Sequence, residues 1–220
     1  MKKLFALLLA LVMALSLVAC GEKKDDTGDK TDDSNPSTGM ELTQATDLVI
    51  ATGGTSGAWY PIGVSIADIL TNVDNNLFVT SEVTNGGVEN ARLLGTHAAN
   101  VGFVNSDTAY FATHSEDAFA SEPAYELYGL ANLYDSVLEI AVLADSGINS
   151  IADLAGKRVV VGTPASSAST MGWTVLSTYG LTDKDVKGSE LSFAEGVEAM
   201  NNGDVDCVFI FSAAPNSALT

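Results

Sequence analysis

The sequence predicts an α/β fold built on mainly parallel sheet, and three observations carry that expectation. Short β-branched apolar runs alternate with segments whose apolar residues recur at helical spacing. Many of these runs end in a loop of Gly, Ser, Thr or Asn that leads directly into a helix start. The alternation holds from about residue 47 to residue 220, in two successive blocks, and a chain that is 46% apolar has ample material for a core.

Two segments precede the fold. Met1, Lys2 and Lys3 lead an uncharged apolar run over residues 4–19, which closes on Leu17, Val18, Ala19, Cys20 and Gly21. A basic start, a short apolar centre and small residues at the cut predict a secretory signal over residues 1–19, too short for a comfortable membrane span. Cys20 preceded by Leu-x-Ala resembles a bacterial lipoprotein box. That resemblance implies that Cys20 is lipidated and anchors the chain to the outer face of the cell membrane. Residues 21–46 are polar, charged and without apolar period, so residues 20–46 are expected to form a disordered tether.

Within the fold, DLVIA is a short apolar run before glycines and predicts a buried strand. Ile62, Ile66, Ile69 and Leu70 follow at helical spacing, with Pro61 tolerated in the first turn. LFVTSEV, residues 77–83, predicts a second strand. It runs into a helix that Asn85 can cap, with Val88, Ala91 and Leu94 on one face and Gly95 as its stop. NVGFVNSD predicts a third strand and TAYFATH the helix after it. Residues 137–144 read as strand that crosses into the second block. There Ser150 caps a short helix, Gly156 stops it, and residues 158–161 form a strand. TPASSAST is a small-residue loop, MGWTVLSTYGL a helix stopped by Gly180, LSF a strand, and AEGVEAMNNGDVDCVFIF a helix, a turn at Gly203 and a strong apolar strand.

The bulk charge and the rare residue types exclude several functions. A formal net charge of -18, more negative still once Lys2 and Lys3 leave with the signal, argues against nucleic acid and anionic lipid as partners. Only two cysteines occur. With Cys20 at the cut, Cys207 is alone in the apolar VDCVFIF, the setting of a buried inert thiol and not of a disulfide framework. A nucleotide phosphate loop needs Gly-Lys-Ser/Thr, whereas Ser56-Gly57-Ala58 stands here. GGTSG lacks the Gly-x-Gly-x-x-Gly spacing of a dinucleotide fold, and Gly54-Thr55-Ser56-Gly57 misses a nucleophile elbow by one residue. His97 and His114 are the only histidines; they supply neither an evident general base nor, without Cys or carboxylate spacing beside them, a metal site. Asp204 with Asp206, and Asp183 with Asp185, read as solvated charges or caps. No cofactor is expected, and the catalytic inventory is close to empty.

What remains are four loops at the predicted strand ends, residues 53–60, 84–90, 105–107 and 163–170, rich in Gly, Ser, Thr and Asn. In open α/β sheets ligands bind outside the carboxyl ends of the strands. Helix N-termini there present unpaired N–H groups and positive dipole ends, so such loops facing one cleft bind an anion without Lys or Arg. Arg92, Lys157 and Arg158 all read as surface residues.

IATGGTSGAWYPIG, then VTNGGVENARLL with ANVGFVNSDTAYFA, then IADLAGKRVVVGTPASSAST and NNGDVDCVFIFSAAPN resemble, in order, the TAXI family of solute receptors that serve tripartite ATP-independent periplasmic (TRAP) transporters. The resemblance covers nearly all of residues 47–220. It implies a two-lobed, type II periplasmic-binding-protein-like fold, with one lobe over residues 47–138 and the other over residues 139–220. It also implies a receptor that delivers a small carboxylate such as glutamate or glutamine to a TRAP membrane permease driven by an ion gradient. Carried onto this sequence, Thr55, Ser56 and Tyr60 match the first pocket loop, Asn85 and Asn90 the second, Asn105 and Asp107 the third, Ser166 and Ser167 the loop of the other lobe, and Ala213 and Pro215 the last stretch. In the roles this suggests, the N–H and hydroxyl groups of Thr55, Ser56, Ser166 and Ser167 hold a carboxylate, Asn85 and Asn105 take polar ends, and Tyr60 covers one face. Asp107 either receives a ligand ammonium or caps its own helix.

Two departures put ligand identity in doubt: Ala165-Ser166-Ser167 stands where the family tends to Gly-Ser-Gly, and Asn105 where it more often has Gln. The second lobe is still in progress at Thr220, so the return of the chain to the first lobe is expected to be missing, as in a fragment or a degenerate receptor. Two rival readings stand beside the receptor: a surface lipoprotein that keeps the fold but binds a partner, and a secreted serine hydrolase using Ser56 or Ser166.

Overall fold

A computed structural model describes residues 41–220; the predicted signal peptide, Cys20 with its expected lipid, and the tether up to Met40 lie outside the described residues. Among the described residues seven strands and five α-helices follow in chain order: β1 Thr46–Ala51, α1 Trp59–Thr71, β2 Leu77–Glu82, α2 Gly87–Gly95, β3 Val101–Gly102, α3 Ser106–His114, β4 Val137–Ala141, β5 Arg158–Val160, α4 Ser167–Thr178, β6 Lys187–Ser189, α5 Phe193–Asn201 and β7 Cys207–Ser212. They form two sheets. The first has the order β2-β1-β3 and is wholly parallel; the second has the order β4-β7-β5-β6, with β5 parallel to β6 and β7 and only β4 antiparallel. The mainly parallel α/β expectation is therefore met by two small sheets.

The second sheet shows how sequence becomes architecture. β7 is apolar at nearly every position because helices and turns cover both of its faces. Val159, Val161, Cys207 and Phe209 pack with Leu154 and Leu176 on one side, while Val160, Val208 and Ile210 pack with Met200 and Val205 on the other. The period-two alternation assigns each residue its face. Cys207 is fully buried, and burial, followed by the neighbouring Asp206 charge, pushes its thiol up to about 12. It is the inert thiol that the apolar run predicted.

Four local expectations change. Helix α1 buries Gly63 and Ala67, whereas Ile69 is 65% exposed. A Cβ at Gly63 would lie 2.4 Å from Thr52 Cγ2, so the helix comes closest to the end of β1 at a small residue, with Ile62 and Ile66 part-buried beside it. The strand expected at LSF lies earlier, at Lys187–Ser189, because Ser192 is taken up as the N-cap of α5 in a capping box with Glu195. Helix α4 begins at Ser167, inside the stretch read as loop. Residues 42–46 join the fold: the Leu42 N–H donates to the Asp74 carboxylate at 2.7 Å, Asn76 Nδ2 donates to the Leu42 carbonyl at 2.6 Å, and Thr46 opens β1. Long-range partners in a polar turn leave no periodic signal.

The two arginines of the described residues are tied into the scaffold. Arg92 pairs with Glu122 at 2.7 Å, donates to the Ala118 carbonyl and lies over the Phe119 ring, fastening α2 to the segment after α3. Arg158 pairs in the same forked manner with Asp206. Among the described residues no helix is long and apolar enough to cross a membrane.

Candidate functional site

The topology places the site. Each of α1, α2 and α3 follows a parallel strand of the first sheet, and α4 and α5 follow β5 and β6 of the second. Every helix therefore starts at the carboxyl end of a parallel strand, which is where open α/β sheets bind ligands. A cavity of about 60 Å³ lies at these ends. All five helix starts line it: Ala58 and Trp59 of α1, Gly86 and Gly87 of α2, Asn105 at the cap of α3, Ser166 and Ser167 of α4, and Ser192 and Phe193 of α5. Gly53, Gly54, Thr163, Phe211 and Ser212 contribute to the rest.

The electrostatics follow from the backbone. A helix start leaves its first N–H groups without intrahelical acceptors and carries about half a positive charge. Five such starts converge here, and among the described residues the lining contains no Asp, Glu, Lys, Arg or His. The cavity thus presents helix-start dipoles and no formal cation, with Glu89, Asp107 and Glu195 in the first turns of α2, α3 and α5 behind it and Trp59, Phe193 and Phe211 as apolar wall. The Trp59 ring stacks on Phe103 with centroids 5.9 Å apart. The Tyr134 hydroxyl is buried beside Trp59 without a hydrogen bond of good geometry, and burial raises its ionisation above the ordinary phenol range.

The two sides of the cavity touch directly. Thr163 Oγ1 donates to the Asn85 carbonyl at 2.8 Å, the Glu89 N–H donates to the Ala165 carbonyl at 3.0 Å, and the Thr108 and Ser167 hydroxyls are 2.9 Å apart in a buried setting. The Ala58 N–H reaches Ser212 Oγ, and Asn216 Nδ2 reaches the Ser56 carbonyl, both at 3.4 Å. At one of these crossings the packing is close: a Cβ on Gly87 would lie 2.1 Å from Ser167 Oγ and would displace that hydroxyl. The structure is in a closed arrangement.

Of the residues singled out from sequence, Ser56, Asn85, Asn105, Ser166 and Ser167 are brought together on the cavity. Thr55, Tyr60, Asn90, Asp107, Ala213 and Pro215 are not on its lining. Asn90 is fully buried and structural: Nδ2 donates to the carbonyls of Thr52 and Phe103 at 2.6 and 2.8 Å, and Oδ1 accepts the Thr84 hydroxyl at 2.7 Å. Asp107 stands in the first turn of α3, whose N-cap is Asn105, and accepts the Thr108 N–H at 2.7 Å. Asn85 does not cap α2; Gly86 does, and the Asn85 N–H donates to Glu89. Sequence reasoning missed Ser192, Phe193, Phe211 and Ser212, while Trp59 and Thr163 lie in loops it named without being singled out. The S-x-x-E spacing of Ser192 and Glu195 was a readable signal for a helix start at the site; the aromatic wall had none.

The alternative chemistries find no partners here. Ser166 donates to the Thr163 carbonyl and accepts the Ser169 N–H, as an N-cap does. His114 is bonded to Thr113 and the Tyr110 carbonyl, and neither histidine lines the cavity. Among the described residues no cluster of His, Cys, Asp or Glu is arranged to hold a metal ion.

Comparison with known proteins agrees with this geometry. A sequence profile of the NMT1-like family matches residues 50–220. Among solved structures, the alkanesulfonate-binding protein SsuA of Xanthomonas axonopodis pv. citri, bound to MOPS, aligns with a TM-score of 0.51 at 21% identity, covering 77% of this chain and 56% of SsuA. Holo ArgBP of T. maritima aligns with a TM-score of 0.52 at 13% identity, covering 75% of this chain and 69% of ArgBP. The structure described for glutathione import via GshT in Streptococcus mutans gives 0.51 at 16%, covering 77% and 69%. The fold is that of type II periplasmic binding proteins, and the chain spans little more than half the length of SsuA.

Proposed function

The chain belongs to the NMT1-like family, and from that premise we propose that it is an extracytoplasmic solute receptor for a small carboxylate, held on the outer face of the membrane through lipidated Cys20. One observation carries the reading: five helix N-termini converge on a cavity between two sheets whose lining, among the described residues, holds no charged side chain. Such a cavity supplies fixed donors that hold an anionic group without the tight ion pair that would slow its release. Ser56, Asn85, Asn105, Ser166 and Ser167 are the proposed contacts, with Trp59, Phe193 and Phe211 packing on the carbon skeleton. The sheet halves act as the two lobes, and the direct contacts between them are the closed state that a ligand would stabilise. The resemblance to TAXI receptors supports a TRAP permease as the membrane partner, and glutamate and glutamine as the first ligands to try.

A thermal-unfolding screen of the purified chain tests this. A ligand at about a hundred times its Kd stabilises by about 2.7 kcal/mol, which raises the Tm of a domain of this size by several degrees. A rise with carboxylates and none with nucleotides is the expected result. Folded protein that responds to no small anion contradicts the reading and favours a partner-binding lipoprotein.

A further inference from the structure

We propose that Ser136 is a positioning residue of the site: it holds the Asn105 side chain off its helix cap and against the cavity, where Asn105 meets the solute. This deepens the receptor reading and rests on it.

Asn105 occupies the N-cap of α3 and belongs to a residue type that caps well, yet its side chain makes no capping hydrogen bond. Its Nδ2 instead donates to Ser136 Oγ at 3.0 Å, a partner 31 positions away in the chain. Among the described residues that is the only hydrogen bond of the Asn105 side chain. The other end of the amide faces the lining, since a Cβ built on Gly87 would lie 3.5 Å from Asn105 Oδ1. A cap forgone for a long-range bond is the pattern of a side chain set for a ligand at the expense of stability.

Ser136 is itself fixed in place. It immediately precedes β4, whose first residue Val137 pairs with Ser212 of β7 in the antiparallel ladder. Ser212 lines the cavity, whereas Ser136 does not, so Ser136 acts through Asn105. The Asn105–Ser136 bond thereby ties the helix start that follows the first sheet to the edge strand of the second. Two residues earlier, the Tyr134 hydroxyl is buried beside Trp59, which is also on the lining. Residues 134–136, with no helix or strand of their own, thus back two parts of the cavity wall.

Calorimetric titration of the purified chain tests this. The probes are L-glutamate, L-glutamine, pyruvate, ethanesulfonate and any carboxylate that raises the Tm in the unfolding screen. For each probe that binds wild type, Ser136→Ala should weaken affinity about fivefold or more, the size of one neutral hydrogen bond. Ser136→Thr keeps the hydroxyl and should stay within about twofold of wild type. The unliganded Tm of Ser136→Ala should hold or rise, because the released Asn105 can then cap α3. A merely structural serine would lower the Tm and leave affinity alone. Asn105→Ala should weaken binding too, and adding Ser136→Ala to it should change affinity no further, since the serine acts only through that amide. Wild-type affinity in Ser136→Ala, equal losses in the Ala and Thr variants, or additive losses in the double variant would overturn the inference and leave the receptor reading standing. Folded wild type that binds none of these probes overturns the receptor reading and the inference with it.

Discussion

Asn90 is the residue whose role changes most between sequence and structure. Its amide joins β1, β3 and the loop before α2 through the carbonyls of Thr52 and Phe103 and the hydroxyl of Thr84. Asn90→Ala should lower stability by about 2–4 kcal/mol, because it leaves buried polar groups unpaired, while any ligand affinity that survives should reflect scaffold damage alone; denaturant unfolding measures it. An asparagine in a polar loop reads as a ligand contact, and only the fold shows which way it turns. Asp206 makes a second prediction at this scale. Its bonds to Arg158, side chain first and backbone N–H second, hold its carboxyl at about 2, below the ordinary value of 3.8. The stabilisation is therefore complete above about pH 4 and is lost as the pH falls toward 2. Asp206→Asn should cost roughly 0.5–1 kcal/mol at neutral pH, since the pair is partly exposed. The gap from wild type should close over that acid window in pH-dependent unfolding curves.

At the scale of elements, strand and helix identities were legible because period-two and helical patterns are local: β1, β2, β5 and β7 and all five helices stand where those patterns put them, within a few residues. The start of α4 was obscured because SSAST is polar and lacks apolar period, although its serines are good caps. The aromatic wall was invisible because Trp59, Phe193 and Phe211 come from distant stretches that meet only after both sheets form. The same meeting builds the Thr108–Ser167 bridge between α3 and α4. A double-mutant cycle of Thr108→Val and Ser167→Ala should show a coupling of about 1 kcal/mol in stability. Each single variant should also weaken binding of a ligand found in the screen, because the closed arrangement loses a contact. Independent effects would mean that the bridge does not hold the closed arrangement.

For the whole molecule, the parallel topology is what produces the site: five strand-to-helix turns deliver five helix starts to one cavity. Gly54 offers a direct test of that claim. It lines the cavity, and a Cβ placed on it meets nothing within 4 Å, so a side chain can start there without a clash at its first atom. The decisive measurement is calorimetric titration of wild type and Gly54→Leu with the carboxylate that gives the largest stabilisation in the unfolding screen. The account predicts a wild-type stoichiometry of one and at least a tenfold loss of affinity in Gly54→Leu, with the unliganded Tm unchanged within a few degrees. Undiminished binding by Gly54→Leu would place the ligand elsewhere and contradict the assignment of this cavity as the solute site.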